Sequence, residues 1–190
     1  MKRASMIEDK VRWNERYQTA PPPQQPSKLL LRHMDKIQGS DILDIAAGLG
    51  RHSRLLAQKG YRVDALEYSD VALESLRQID GVNAIEIDLE EGCHIEKKYD
   101  AILCFNYLNR NLYPFMQTHL KPQGILLFET FVYDPACDGA PRHREFLLEK
   151  NELLDVFRVL YIIEYREFHV TKQNGQPALM ASLVAINRVD

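Results

Sequence analysis

The sequence predicts an α/β sandwich, in which helices cover both faces of a mostly parallel β-sheet that ends in an antiparallel hairpin. Three features support this fold class. From residue 40 onward, short apolar runs alternate with amphipathic segments, as in repeated βα units. The first apolar run leads into a turn of small residues that contains Gly48 and Gly50. Near the end of the chain, two long strand-like runs flank Asn174-Gly175, a frequent hairpin turn.

The segment before residue 40 is predicted to form two helices that cover the sheet. Residues 4–19 read as the first helix. The proline-rich run 21–26 cannot continue a helix and should form an extended connector. Ser27 is a suitable N-cap for a second helix, and Gly39 is a suitable end for it.

The alternating elements begin with a strand at 41–46, whose run Ile42 to Ile45 is broken only by Asp44. The helix 51–59 follows and stops at Gly60. The remaining elements of the alternating part are predicted as strand 61–67, helix 70–79, strands 82–87 and 99–105, helix 112–120, strand 125–130 and helix 149–157. Residues 121–124 (Lys-Pro-Gln-Gly) read as a turn, and the hairpin strands span 158–170 and 178–189.

Composition limits the class of protein. The 190 residues are 45% hydrophobic and 27% charged, which suits one soluble domain, with a cover at 1–39 and a core at 40–190. The net charge of −3 gives no general attraction to nucleic acid or anionic membranes. No signal peptide or membrane span is visible. Cys93, Cys104 and Cys137 lack metal-binding spacing, so we expect a cytoplasmic protein with neither a disulfide nor a metal site.

Acidic residues end three consecutive predicted strands. In a parallel sheet these strand ends meet at one edge, where ligands bind. Glu67 follows Asp44 by 23 residues, near the spacing of an acid that accepts hydrogen bonds from ribose hydroxyls. Asp88 is placed to accept from an adenine amino group, between Tyr68 and Leu89 on the faces of the base. A helix N-cap or a solvated loop charge is the alternative for each acid taken singly.

Two potential cations, Arg51 and His52, lie in the first turn after the glycines. The helix dipole disfavours cations there by about 0.3–1 kcal/mol each. This exception to the usual pattern indicates an anionic group nearby, although side chains that extend into solvent explain it equally well.

Together these motifs resemble those of class I S-adenosylmethionine-dependent methyltransferases. DIAAGLG at 44–50 resembles their first motif, with Ala46 where glycine is usual, and EYSDVAL at 67–73 resembles the second. Asp88, the run 99–106 and the run 120–130 resemble the third, fourth and following positions. The resemblance covers about 40–190. It implies a Rossmann-like three-layer α/β/α fold with seven strands in the order 3-2-1-4-5-7-6, strand 7 antiparallel.

The cofactor implied by the resemblance is S-adenosylmethionine, with S-adenosylhomocysteine as product. Within the family the chain is similar to the tellurite-resistance and thiopurine enzymes, because Trp13-Asn-Glu-Arg16-Tyr17 resembles their W-x-x-R-Y element. That element would put Trp13 and Tyr17 over the cofactor and Arg16 near its carboxylate. Alternatively, Trp13 only anchors its helix on the core. The full set of expected cofactor-binding residues is Trp13, Tyr17, Asp44, Ala46, Ala47, Gly48, Gly50, Arg51, Glu67, Tyr68, Asp88, Leu89, Phe105 and Asn106.

The acceptor is expected to be a small molecule, because no D/N/S-P-P-Y/F motif of nucleic-acid methyltransferases follows strand four. In-line displacement at a sulfonium carbon depends mainly on positioning, which contributes roughly 7–11 kcal/mol for well-held reactants. The candidate catalytic residues are Asn106, Tyr107 and Glu129. Candidate acceptor-binding residues are Arg110, Tyr133, Arg142, His143 and Arg144, whose basic cluster suggests an anionic group on the acceptor.

Two other functions fit part of the pattern. A nicotinamide-dependent oxidoreductase would share the glycine turn, but Ser53 stands where its fingerprint has a last glycine or alanine. A non-catalytic S-adenosylmethionine-binding regulatory module would share every binding residue. The sequence leaves open whether the protein is a monomer or a homodimer.

Overall fold

The computed structural model describes residues 2–19, 21–22, 24–137, 141, 143–172 and 175–188. The helices are α1 (Lys2–Thr19), α2 (Lys28–His33), α3 (Arg51–Gln58), α4 (Asp70–Arg77), α5 (Tyr113–Thr118) and α6 (Glu152–Val156). The strands are β1 (Asp41–Ile45), β2 (Arg62–Glu67), β3 (Val82–Glu86), β4 (Tyr99–Phe105), β5 (Leu120–Val132), β6 (Tyr161–Thr171) and β7 (Pro177–Ile186). Of the helices in these ranges, none has the length and apolar content that a membrane span requires.

The strands form one seven-stranded sheet in the order β3-β2-β1-β4-β5-β7-β6. The first five strands are mutually parallel, and β7 lies antiparallel between β5 and β6. This is the predicted order with the predicted antiparallel strand, so the fold class is confirmed. Because β1 to β5 all point the same way, the residues that follow them meet at one edge, here called the carboxyl edge.

Apolar cores fill both faces of the sheet. Leu29, Leu30 and Leu56 of α2 and α3, with Leu76 of α4, pack on the face that contains Ile42. The other face packs against α5 and α6 and against the segment 88–98. This segment connects β3 to β4 and contains a short 3₁₀ turn in place of an α-helix. Since β1 and β4 are buried on both sides, their continuous apolar runs are explained.

The predicted turn at 121–124 lies inside β5, which starts at Leu120 rather than 125. Leu120 pairs with Tyr99, and the next pair joins Ile125 to Ala101, so the extra residues form a bulge. Gln123 adopts a φ of 63°, and its backbone N–H donates to Asn187 O at 2.8 Å. The turn residues agree with the prediction, but the predicted break in the strand is wrong because Asn187, directly after β7, forms hydrogen bonds with Gln123 and Gly124.

Two helix boundaries differ from the prediction by more than two residues. The second helix ends at His33, and a 3₁₀ turn at Met34–Lys36 follows, so Gly39 lies beyond its end. Ser27 is the predicted N-cap, with its Oγ accepting from Leu29 N at 3.1 Å. α6 starts at Glu152 rather than at 149, because Asn151 has a left-handed φ of 63°.

The helix α1 lies across the carboxyl edge rather than on a sheet face. Lys10 is 2.7 Å from both Asp70 and Glu86, so it bridges the start of α4 and the end of β3. Asn14 Oδ1 accepts hydrogen bonds from Ser69 Oγ at 2.6 Å and from Val71 N at 3.3 Å. These polar contacts hold α1 over the strand ends.

Candidate functional site

The turn after β1 has a backbone that favours small residues. Ala46, Gly48 and Gly50 adopt φ values of 52°, 58° and 81°, all in the left-handed region. This conformation is easy for glycine and strained for alanine, so Ala46 carries local strain at the site where the resemblance expects glycine. The turn is held by Ala47 N, which donates to Leu66 O at 3.0 Å, and by Gly50 N, which donates to Ala47 O at 3.1 Å.

Glu67 fixes this turn to the start of α4. Its Oε2 accepts from Gly48 N at 2.8 Å, and its Oε1 accepts from Tyr68 N at 2.8 Å and Ser69 N at 2.9 Å. The side chain is buried, and burial raises its pKa while the three N–H groups oppose that rise. One lone pair on Oε2 remains for a ligand hydroxyl. The expected ribose acid is thus also a structural part of the site.

Asp44 is buried at the end of β1, and its Oδ2 accepts from Ser53 Oγ at 2.6 Å. Burial raises the pKa of Asp44 to about 6, while the Ser53 hydrogen bond and the Arg51 charge act in the opposite direction. Ser53 therefore has a role that glycine could not perform. This contact counts against the nicotinamide fingerprint, which needs a small residue at that position.

The two potential cations at the start of α3 differ in the structure. His52 is buried, its Nε2 accepts from Ser27 N at 3.1 Å, and its ring lies 4.2 Å from that of Phe105. Burial, followed by the Arg51 charge, lowers the pKa of His52 to about 3. The interpretation of His52 as a cation was wrong. Its Nε2 accepts the hydrogen bond from Ser27 N, so this nitrogen carries no proton and the ring is neutral. Arg51 is half-buried, and its charge acts on Asp44 and Glu129.

Tyr17 of α1 covers the glycine turn directly. A methyl group built on Gly48 would lie 3.1 Å from Tyr17 Oη. The Trp13 ring stacks on Tyr17 at 5.7 Å, and the Arg16 guanidinium lies 5.3 Å from the Trp13 ring. Trp13 is 36% exposed, so it does not anchor α1 in a core. The arrangement places Tyr17 over the turn, with Trp13 stacked on Tyr17.

The expected base-binding residues follow β3 (Asp88 and Leu89) and β2 (Tyr68). Asp88 Oδ1 accepts from Glu90 N at 2.9 Å, and Oδ2 has no hydrogen bond within the described ranges. Leu89 is buried and Tyr68 is half-buried, with Lys10 Nζ 5.0 Å from the Tyr68 ring. Asp88 is therefore both the N-cap of a 3₁₀ turn and an available acceptor, which combines the two alternatives considered from the sequence.

The candidate catalytic residues follow β4 and lie on β5. Asn106 has a left-handed φ of 56°, and its N–H donates to Glu129 O at 2.8 Å. Glu129 Oε1 accepts from Ser27 Oγ at 2.9 Å, and burial raises the pKa of Glu129. Tyr107 Oη donates to Glu90 Oε1 at 3.0 Å. The fold brings the backbones of Asn106 and Glu129 together, whereas the Tyr107 hydroxyl is directed to Glu90.

The predicted acceptor-binding residues are only partly available to a ligand. Arg110 donates through Nε and Nη2 to both carboxylate oxygens of Glu152, each at 2.8 Å, and it also donates to Glu145 O and Leu147 O. Arg144 pairs with Glu149 and lies 4.0 Å from the Tyr133 ring. His143 is exposed, and Arg142 lies outside the described residues. Most donors of Arg110 are thus used within the protein.

Sequence reasoning missed Lys10, Asn14 and Ser27, which connect the N-terminal helices to the site. Asn14 lies inside the W-x-x-R-Y element, but its partners are 55 and more residues away. Ser27 was recognised only as a helix cap, although its N–H and Oγ also contact His52 and Glu129. No local pattern signals contacts at such separations.

Two cavities lie away from the glycine turn. One, of about 330 Å³, opens beside the first residues of β2 and β3 at the opposite edge, near Arg62, Asp64 and Lys97. Its charged groups are already paired, because Lys97 lies 2.9 Å from Asp64. The other, of about 180 Å³, is next to Arg110 and Phe146. The site residues expected from the sequence lie at the glycine turn and the neighbouring strand ends rather than beside the larger cavity.

Comparison with known proteins gives a match to one sequence family. Residues 42–124 match the sequence family described as "Methyltransferase domain". No curated protein sequence matches the chain.

Solved structures share the fold at low identity. TehB from Haemophilus influenzae has a TM-score of 0.74 and 20% identity, over 93% of this chain and 66% of TehB, so the chain spans just under two thirds of that protein. The 1,6-didemethyltoxoflavin-N1-methyltransferase of Burkholderia thailandensis, solved with S-adenosylhomocysteine, has a TM-score of 0.69 and 15% identity, over 99% and 90%. The N-methyltransferase NodS from Bradyrhizobium japonicum WM9 has a TM-score of 0.67 and 16% identity, over 85% and 93%.

The matched range contains the glycine turn, the strand-end acids and the whole of β4. Together with the strand order, the match over residues 42–124 and the similarity to the solved structures show that the chain has the fold of class I methyltransferases.

Proposed function

We propose that the protein binds S-adenosylmethionine at the carboxyl edge and transfers its methyl group to a small molecule, releasing S-adenosylhomocysteine. The observation that carries the proposal is the turn at Gly48, which Glu67 fixes by a 2.8 Å hydrogen bond and which Tyr17 covers. A side chain at Gly48 would fill the narrow space beneath Tyr17. The turn therefore presents backbone without side chains at the carboxyl edge, and it lies inside the range that matches the methyltransferase family.

The residues present fit this cofactor. Glu67 and Asp88 each keep a free acceptor site, which suits the ribose hydroxyls and the adenine amino group. Asp44 and Arg51 are next to the small-residue turn, and they match in charge the ammonium and carboxylate of the methionine part. The bound sulfonium supplies an electrophilic methyl group with a good leaving group. The task of the protein is to hold the two reactants in line and to exclude water.

Glu129 is the candidate base for an acceptor that must lose a proton. Burial raises the pKa of Glu129 toward neutral pH, which makes the carboxylate a stronger base. The hydrogen bond from Ser27 Oγ orients the carboxylate. Asn106 lies beside it through their backbone hydrogen bond and can position the acceptor. An acceptor that is already nucleophilic needs no base, and the proposal then assigns Glu129 a positioning role.

The proposal also covers the methyl acceptor, the cellular compartment and the oligomeric state. Tyr133 and His143 lie on the loop after β5, and a small acceptor with an anionic group suits the basic residues there. The three cysteines form no disulfide, which supports a reducing cytoplasm. We treat the described chain as one catalytic domain, acting as a monomer or a homodimer.

Calorimetry on protein cleared of bound ligand tests cofactor binding. We expect saturable binding of S-adenosylmethionine and S-adenosylhomocysteine and no binding of NADH. Gly48→Ala should weaken binding by roughly tenfold or more, because the added methyl group meets Tyr17. Gly60→Ala is the matched control, since Gly60 also has a positive φ (89°) but no atom lies within 4 Å of the added methyl group. Equal loss in both variants would show that backbone strain alone causes the effect.

A second experiment separates an enzyme from a non-catalytic binding module. Release of S-adenosylhomocysteine is measured with a panel of thiols, amines, carboxylates and metalloid oxyanions. We expect turnover with at least one class and its reduction in Glu129→Gln. Tight cofactor binding without turnover across the panel would favour the regulatory module.

A further inference from the structure

Three metal-binding side chains meet at the carboxyl edge, outside the cofactor site. Asp134 lies two residues after β5, Cys137 lies in the turn that follows, and His169 lies near the end of β6. The carboxylate, thiol and imidazole ligand atoms all lie within 4.8 Å of one another. Among the described residues, one group of three or more His, Cys, Asp or Glu side chains has its ligand atoms this close together, and it is this one.

The spacing around Asp134 is close to that of a metal site. Its Oδ2 lies 3.4 Å from Cys137 Sγ and 3.4 Å from His169 Nε2. Around a tetrahedral Zn²⁺ with bonds of about 2.0–2.3 Å, neighbouring ligand atoms lie roughly 3.3–3.6 Å apart. An ion could therefore bind with small side-chain rotations. The N···O contact of 3.4 Å between His169 and Asp134 is long for a hydrogen bond, and a shared ion would hold these two groups more firmly.

The backbone positions two of the three groups in advance. Asp134 Oδ1 accepts from Ala136 N at 2.9 Å, and Asp134 O accepts from Cys137 N at 3.0 Å. These bonds close a turn that brings Cys137 back toward the carboxylate and leaves Oδ2 directed at the cluster. His169 lies on β6, which is paired with β7 along its length, so its backbone is also fixed. A preformed site lowers the entropy lost on binding.

The ligand types indicate the class of metal. One thiolate, one imidazole and one carboxylate suit a borderline divalent ion such as Zn²⁺, whereas Mg²⁺ and Ca²⁺ prefer oxygen ligands throughout. The partner of Asp134 among the ion pairs of the described residues is His169, so no lysine or arginine there neutralises the carboxylate. His169 is exposed, so water could reach an ion bound here and serve as a fourth ligand.

We propose that Asp134, Cys137 and His169 bind one Zn²⁺-class ion, which joins the end of β5 to the end of β6. This site is separate from the proposed methyl transfer, and metal binding here does not depend on whether the protein is a methyltransferase. The ion would fix the start of the loop that carries Tyr133 and His143. The sequence indicated no metal site, because His169 is 32 positions from Cys137 and lies on another strand.

Co²⁺ binding to the full chain, reduced and cleared of metal with a chelator, tests the site. We expect one Co²⁺ per chain, a near-ultraviolet thiolate-to-cobalt band, visible bands of tetrahedral intensity, and displacement by Zn²⁺. Cys137→Ser should abolish the thiolate band. His169→Gln and Asp134→Asn should weaken binding by roughly 10-fold or more.

The controls are Cys93→Ser and His94→Gln, which remove a thiol and an imidazole elsewhere in the chain and should leave the spectrum unchanged. The ligand residues are partly exposed, so their replacement should not unfold the protein, and circular dichroism checks this. The site is disproved if the wild type shows no thiolate band, if the band persists in Cys137→Ser, or if binding requires millimolar metal.

Discussion

Gly48 N donates a 2.8 Å hydrogen bond to Glu67 Oε2, which joins the turn after β1 to the end of β2. The same carboxylate accepts from the first backbone N–H groups after β2. One buried side chain therefore sets the spacing of the two loops between which the cofactor is proposed to bind. The acid that would contact the ribose also builds the pocket that receives it.

Replacing Glu67 with glutamine should therefore affect both stability and binding. The amide NH₂ cannot accept from Gly48 N, so two donors would face each other. We expect a loss of about 1–3 kcal/mol in the free energy of unfolding and roughly 10–100-fold weaker S-adenosylmethionine binding. Urea unfolding and calorimetry measure the two effects. Glu74→Gln, on the exposed side of α4, is the control, and equal behaviour of the two variants would contradict the assigned role.

The cover helix α1 should open more often when Asn14 is replaced with alanine. Asn14 holds α1 to Ser69 and Val71, and the loss of about 1 kcal/mol of hydrogen bonding shifts the equilibrium by roughly fivefold. Trypsin cleavage after Arg16 should be faster by a similar factor, and bound S-adenosylhomocysteine should slow it. Gln18→Ala, exposed on the same helix, should cleave at the wild-type rate. A ligand that gives no protection would show that α1 does not cover the site.

Asp44 should make stability fall as the pH rises through its folded pKa. The pKa rises from 3.8 to about 6 on folding, so between these values the folded state holds a proton that the unfolded state has lost. The contribution of Asp44 is thus most favourable below pH 4 and becomes about 3 kcal/mol less favourable above pH 6. Unfolding free energies of the wild type and Asp44→Asn, compared across this range, isolate the effect from other titrating groups. A pH-independent difference would disprove it.

Arg110 should matter for stability more than for acceptor binding. It makes a two-point contact with Glu152 and also donates to Glu145 O and Leu147 O. We expect Arg110→Gln to lower the free energy of unfolding by about 1–3 kcal/mol. Its KM for the acceptor should stay near that of Arg77→Gln, an exposed control on α4. A large rise in KM without loss of stability would instead support the acceptor-binding role suggested by the sequence.

The alternation of apolar runs and helices predicted the fold class well, because side-chain periodicity depends on local geometry. β1, β4 and the N-cap at Ser27 follow from short segments, and the acids at 44, 67 and 88 follow from the rule that parallel strands end at one edge. The bulge in β5 could not be read this way. Gln123 and Gly124 look like a turn until Asn187 of the closing hairpin supplies hydrogen-bond partners.

What the sequence by itself determined is the set of elements, their order in the sheet and the edge at which a ligand would bind. Only the tertiary structure decided how each polar group is used. It made His52 a neutral acceptor for Ser27, committed Arg110 to Glu152, and brought His169 to Cys137. The physical reason is that hydrogen bonding, burial and metal coordination depend on partners that are distant in the chain, whereas helix and strand patterns depend on near neighbours.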